Sequence, residues 1–115
     1  MSDQETTVGK LKQLVENFVS TREWQQFHTP KNLSMAIAIE ASELMDLFKW
    51  HGSGDSTEQM TDDDVRIAAS EELADVLILC IAFANRNGID IQSAVEAKVA
   101  KNDQKYPQDK FKGRF

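Results

Sequence analysis

The chain has one cysteine, two prolines, one tyrosine and two histidines in 115 residues. A single cysteine excludes a disulfide framework and a cysteine-built zinc site. Cys80 lies inside "VLILCIAFA", where an inert buried thiol in a reducing cytosol is expected. No apolar run approaches the roughly 20 residues of a membrane span, so no membrane partner is expected. The opening "MSDQETTVGK" lacks the pattern of a signal or transit peptide, which makes the cytoplasm the expected location. Excess positive charge is also missing. The net charge of −6 argues against a nucleic acid polymer as partner, because such a groove needs a basic face. A small phosphorylated molecule, held through cations and a few local lysines, stays compatible with it. The sequence has no G-x-x-x-x-G-K-[ST] phosphate loop and no G-x-S-x-G nucleophile elbow.

What is present is helical. Hydrophobic residues make up 41% of the chain, enough for a core, and the length suits one domain over residues 1–115 with a core from about 6 to 107. Leu11, Leu14, Val15, Phe18 and Val19 recur at helical spacing and predict a first helix from about Thr6 to Phe27. "FHTPKN" ends it, since Pro30 removes a donor and disfavours helix in the residue before it. A second helix is expected from Leu33 to Trp50, capped by Asn32. The polar stretch "HGSGDSTEQMTDDD" reads as a loop with room for a short turn near Thr57 to Met60. A third helix starts near Asp62 to Asp64 and ends at "NRNG", with Gly88 as its left-handed terminator. Apolar almost all round from Val76 to Ala84, it should be the most buried. A fourth runs from Ile91 to Lys105, with Asp90 or Ser93 as cap, and stops before Pro107. The tail "QDKFKGRF", with Phe111 and Phe115, is a candidate for docking on a neighbouring molecule. No strand pattern or repeat is visible, so the expected class is an all-α, four-helix bundle.

The second helix carries a conflict. Around its axis Leu33, Ile37, Leu44, Leu47 and Phe48 share one face, and Glu40 falls near the middle of it with Glu43 at the border. A carboxylate facing a core costs several kcal/mol, on the order of the desolvation of a charge, unless it is paired or bound to metal. The third helix repeats the motif with Glu72 and Asp75 three apart, a spacing that puts both on one side. If the two helices pack as antiparallel neighbours, all four carboxylates can form one acidic cluster. A single such pair is usually a solvated surface; two, each beside apolar sequence, are not. Four hard oxygen donors without histidine or thiolate suit Mg²⁺, with Mn²⁺ as a substitute, over Zn²⁺. Mg²⁺ shares its shell with substrate phosphates, so such a site can hold a triphosphate.

Other candidates surround that cluster. Lys98, Asn102 and Lys105 or Tyr106 form a polar stripe on the fourth helix that could hold phosphate oxygens and a sugar hydroxyl; spacing alone favours an ordinary solvated face. Trp24 and Trp50 stand at helix ends, where a tryptophan is most often a core cap and where a base could also stack. His28 in "WQQFHTPKN" could fix a turn, and His51 carries no specific signal.

Together these residues resemble the MazG-like superfamily of all-α nucleoside triphosphate pyrophosphohydrolases. The signature E-x-x-E, spacer, E-x-x-D reads "EASE" at Glu40–Glu43 and "ELAD" at Glu72–Asp75. The segments "WQQFHTPKNL", "ELMDLFKW" and "NDQKYP" extend the likeness to the compact branch that includes the dCTP pyrophosphatases, over roughly Leu11 to Pro107. The resemblance implies that Glu40, Glu43, Glu72 and Asp75 are the catalytic, metal-binding carboxylates. It implies that Trp24 and Trp50 help enclose the base and that Lys98, Asn102 and Tyr106 contact phosphates or sugar; His28 and Lys105, beside them in the chain, are further candidate substrate contacts. The implied reaction converts a nucleoside triphosphate, with dCTP or a modified dCTP foremost, to the monophosphate and pyrophosphate. A dUTP-directed or broad-specificity pyrophosphatase is the alternative, and a helical interaction module the non-enzymatic one. Family members form dimers or tetramers with sites built between subunits, so a homodimer or homotetramer is expected. The spacer between the acidic pairs is near the long end of the family range, which marks Gly52 to Asp64 as a place to differ.

Overall fold

The computed structural model describes residues 1–114. Those residues are helical, with no strand among them: α1 is Val8–Thr21, α2 Pro30–Asp46, α3 Ser53–Gln59, α4 Asp63–Asn87, α5 Ile91–Lys105 and α6 Gln108–Phe111, with a 3-10 turn at Trp24–Phe27. The four expected helices correspond to α1, α2, α4 and α5, and two short ones are added. Among the described residues no helix is long and apolar enough to cross a membrane.

Capping sets most of the boundaries. Thr7 Oγ1 accepts from the Lys10 N–H at 3.1 Å and starts α1. Thr29, not Asn32, caps α2: its Oγ1 accepts from the Asn32 N–H at 3.1 Å, and Pro30 occupies the first helical position, where its missing N–H costs nothing. Asn32 instead donates its side-chain amide to the Phe27 carbonyl at 3.0 Å, tying the 3-10 turn to α2. Asp62 caps α4, and Gly88 ends it at φ 65°, as its sequence position foretold. Asp90, rather than Ser93, caps α5.

Three boundaries differ from the sequence reading. The first helix stops at Thr21 because Glu23 adopts the left-handed region (φ 52°, ψ 39°), a conformation that costs a non-glycine residue about 1–2 kcal/mol. The corner is braced by Arg22, whose guanidinium donates to the Phe18 carbonyl at 3.0 Å and lies over the Phe18 ring. The second helix ends at Asp46, so Trp50 belongs to the turn that follows it. The polar spacer forms a full helix, α3, instead of a turn near Thr57 to Met60.

The core is small: Val15 and Val19 of α1, Leu33 of α2 and Ala82 of α4, with Leu79, Ile81 and Phe83 packed against them. Helix α4 is central, packing on both α2 and α1. Its expected burial all round is not met within one chain: Leu73, Leu77 and Ile78 are exposed, and so is Cys80, which therefore is not the buried thiol predicted. Small residues, Ala69, Ala82 and Ala84, take the buried positions because they let neighbouring helices approach closely. Lys12 Nζ donates to the Ile89 carbonyl at 2.8 Å, and the Asn85 amide donates to the Lys12 carbonyl at 2.9 Å, locking α1 to the end of α4.

Leu33 is 2% exposed and the largest side chain fully buried. Leu33→Ala is expected to destabilise the fold by about 2–5 kcal/mol, and loss of the cap in Thr29→Ala by about 1 kcal/mol. Urea unfolding at one fixed protein concentration checks both; equal effects would contradict the core assignment.

Candidate metal centre

The carboxylates meet on the α2–α4 interface. Leu33 shares the core cluster with Ala82, and Glu40, seven residues later, faces Glu72, ten residues earlier in α4. The two helices therefore run antiparallel, the arrangement in which the two acidic pairs can face each other. One carboxylate oxygen each of Glu40, Glu43 and Glu72 lie within 4.8 Å of one another. Glu40 and Glu72 are half-buried and Glu43 is exposed. Asp75 stands outside that close group, near enough for its charge to act on both Glu40 and Glu72.

The electrostatics are those of an unmet acidic cluster. Glu40 is held above its ordinary carboxyl value of 4.5, first by a hydrogen bond with Glu43, then by burial and by repulsion from Glu43, Asp75 and Glu72. Glu72 is raised for the same reasons with burial leading, followed by repulsion from Glu43 and a hydrogen bond with it. Glu43 thus sits between the other two. Glu40 Oε2 and Glu72 Oε2 are covered from solvent and have no hydrogen-bond partner. Such an oxygen is costly unless a donor or a cation meets it. The set consists of hard oxygen donors only, which fits a divalent cation of the Mg²⁺ or Mn²⁺ type.

The remaining candidates are dispersed. Trp24 begins the 3-10 turn and packs edge-on against Phe18, with ring centroids 5.6 Å apart. His28 follows that turn, half-buried. Trp50 is 84% exposed, with the Lys49 ammonium 5.3 Å from its ring centroid. Lys98, Asn102 and Lys105 lie on α5 and Tyr106 at its end. The main packing joins α2 to α4, α1 to α4 and α1 to the 3-10 turn, and α5 has no comparable partner. So one chain brings the three glutamates together and does not bring the α5 residues to them. Gln59, at the end of α3, escaped the sequence reading. Its amide nitrogen donates to the Leu47 carbonyl at 3.5 Å while its Oε1 is covered and unpartnered. Nothing in a polar, unperiodic spacer signalled it.

The raised carboxyls set a pH dependence for the metal-free protein. A carboxyl with a raised folded value adds stability that is complete below 4.5 and is lost as pH climbs through the raised value. Asp90 has the opposite sign: hydrogen bonds from Ser93 lower it, so its share is lost only at still lower pH. In chelator, the melting temperature is expected to rise as pH falls from 7 toward 4.5, with a flatter slope in Glu40→Gln. Equal slopes in the two proteins would remove Glu40 from the cluster.

The comparisons with known proteins agree with this geometry. The chain is 39% identical over 103 residues to dCTP pyrophosphatase 1 of Rattus norvegicus and of Homo sapiens, and 37% identical to that of Bos taurus. Each match covers 90% of this chain and 61% of the relative, so the chain spans about three fifths of the length of these mammalian proteins. The crystal structure of a pyrophosphatase from Archaeoglobus fulgidus superposes with a TM-score of 0.81 at 32% identity, covering 93% of this chain and 98% of that one. The model of the MazG-like family matches residues 35–114, which contain all four carboxylates of the two acidic pairs. The chain belongs to the MazG-like family.

Proposed function

We propose that this chain is a Mg²⁺-dependent nucleoside triphosphate pyrophosphohydrolase that converts dCTP, or a modified dCTP, to the monophosphate and pyrophosphate, clearing unwanted nucleotides in the cytoplasm. The observation that carries the reading is the trio Glu40, Glu43 and Glu72, with two covered oxygens that have no partner. The substrate choice rests on the names of the mammalian relatives.

Glu40, Glu72 and Glu43 would hold the cation, with Asp75 as the fourth carboxylate of the two pairs. When bound, the dication supplies neutralisation of the triphosphate charge and Lewis acidity at the reacting phosphorus. Glu43 is the exposed member of the trio and the one that acts on both Glu40 and Glu72. In this reading Glu43 would orient the attacking water and take its proton as the oxygen joins the α-phosphorus and pyrophosphate leaves with the bond's electron pair. Trp50 and Trp24 provide aromatic faces for the base, with His28 beside Trp24 in the chain, and Lys98, Asn102, Lys105 and Tyr106 provide cations and donors for phosphate and sugar.

Those α5 groups are proposed to come from a second copy. The chain exposes 9117 Å², against about 6,300 Å² for a folded monomer of its mass. Its radius of gyration is 17.0 Å, against about 13 Å for a compact chain of this length. The excess, about 2,800 Å², is more than three times the ~800 Å² that each partner contributes to a standard interface. Exposed Leu14, Phe18, Leu77, Ile78, Val95 and Val99 supply apolar area for it. Sedimentation at micromolar concentration is expected to show a homodimer or homotetramer; a folded, active monomer would overturn the shared site.

A panel of dNTPs and NTPs with Mg²⁺, scored for pyrophosphate against phosphate release, tests the reaction. dCTP is expected to lead with pyrophosphate as the product. Equal rates on all bases, or a dUTP optimum, would replace the dCTP assignment; no turnover with any of them would sink the enzyme. Glu40→Gln and Asp75→Asn are expected to lose at least ~100-fold in turnover while staying folded, since removing a like charge relieves the metal-free repulsion. Full activity in either at saturating Mg²⁺ would remove that residue from the metal site.

A further inference from the structure

The C-terminal end of the chain has a charge of its own. Six of the 13 lysines and arginines lie between Lys98 and Arg114, against two acids, Asp103 and Asp109, in a chain whose net charge is −6. Among the described residues the one ion pair is Lys49 with Asp46, so none of these six cations is paired with a carboxylate of the described residues. An unpaired basic segment in an acidic protein is where an anionic ligand gains most.

That segment is folded back on itself. Helix α5 ends at Lys105, with the Tyr106 N–H still donating to the Asn102 carbonyl at 2.8 Å. Pro107 then turns the chain, its carbonyl accepting from the N–H groups of Lys110 and Phe111 at 3.1 Å each. The turn returns Phe111 to Tyr106: their ring centroids are 5.3 Å apart at an interplanar angle of 86°. This edge-to-face arrangement is a favoured aromatic pairing. The Lys105 ammonium stands 5.3 Å from the centroid of the Tyr106 ring as well. Phe111, expected in a tail that docks on a neighbour, packs here on Tyr106 of its own chain; Phe115 lies outside the described residues. Phe111 is 37% exposed and belongs to no part of the core, so its ring serves the end of α5 and not the bundle.

We propose that Phe111 is a positioning residue for the polyphosphate-binding end of α5, holding Tyr106 and Lys105 in the geometry that meets the substrate's phosphates or sugar. The proposal rests on the reading that Tyr106 and Lys105 contact substrate. A ring held from one side by Phe111 is preorganised, so binding the triphosphate does not have to restrict it. Phe111 itself touches no reacting atom.

Steady-state kinetics with dCTP and Mg²⁺, together with proton NMR of the single tyrosine, form the test. Phe111→Ala is expected to raise KM by about 2- to 10-fold, with kcat changed less than about twofold. Its melting temperature should stay within about 2 °C of the parent. The Tyr106 ring signals should lose the ring-current shift from Phe111, and Phe111→Tyr, which keeps the ring, should restore both KM and the signals. In a Tyr106→Ala background, Phe111→Ala should add nothing, because the two act as one unit. If Tyr106→Ala raises KM and Phe111→Ala does not, positioning by Phe111 is refuted while the reading of Tyr106 stands. If Tyr106→Ala leaves KM unchanged, it is the reading of Tyr106 that fails, and the proposal goes with it. A joint fall of kcat and melting temperature in both Phe111→Ala and Phe111→Leu would make the residue structural and overturn the proposal.

Discussion

The structure turns on mutual repulsion among carboxylates that packing forces together. Glu40 occupies the apolar face of α2, so the contact that buries Leu33 also draws Glu40 against α4 and toward Glu72. Separating them would open the α2–α4 seam, the most extensive packing in the chain. Unmet, burial and the neighbouring charges raise the proton affinity of Glu40 and Glu72, and two oxygens are left without partners. The fold thus holds a destabilised site in place with the same contacts that stabilise it, which is the usual relation between a binding site and its scaffold.

A second constraint is area. A 115-residue chain drawn out into long helices cannot cover their apolar faces. Leu14, Leu77 and Ile78 line a groove with Val95 that no part of the described chain fills. The acidic trio is complete within the chain while the cationic and aromatic groups of α5 are not beside it. Both observations support the proposed association with a second copy.

Local chemistry was legible at the ends of α4, though not at the start of α2, where Thr29 and not Asn32 is the cap. Gly88 is the left-handed end of α4 and Asp62 its cap, both visible as letters, because only glycine takes φ 65° without strain and a short carboxylate suits a free N–H. Periodicity failed where it had no opponent: apolar spacing continues through Phe18 and Val19 toward Phe27, and nothing local announces the left-handed Glu23 that turns the chain. Cys80 is the clearer case. A run of nine apolar residues reads as buried, yet burial belongs to the surroundings, and in one chain half of α4 faces outward.

By itself the sequence determined the helical class and the family and singled out the candidate carboxylates, since each depends on residue type and on spacing along a helix. Two E-x-x-E/D pairs on apolar helices permit few other arrangements. Tertiary structure alone decided that Glu40, Glu43 and Glu72 converge within 4.8 Å while Asp75 stands further off, because that depends on how α2 and α4 cross. It also decided that Phe111 meets Tyr106, a contact made by the turn at Pro107 and by no periodicity. Spacing fixes which side of a helix a residue takes. What that side meets depends on packing between elements distant in the chain.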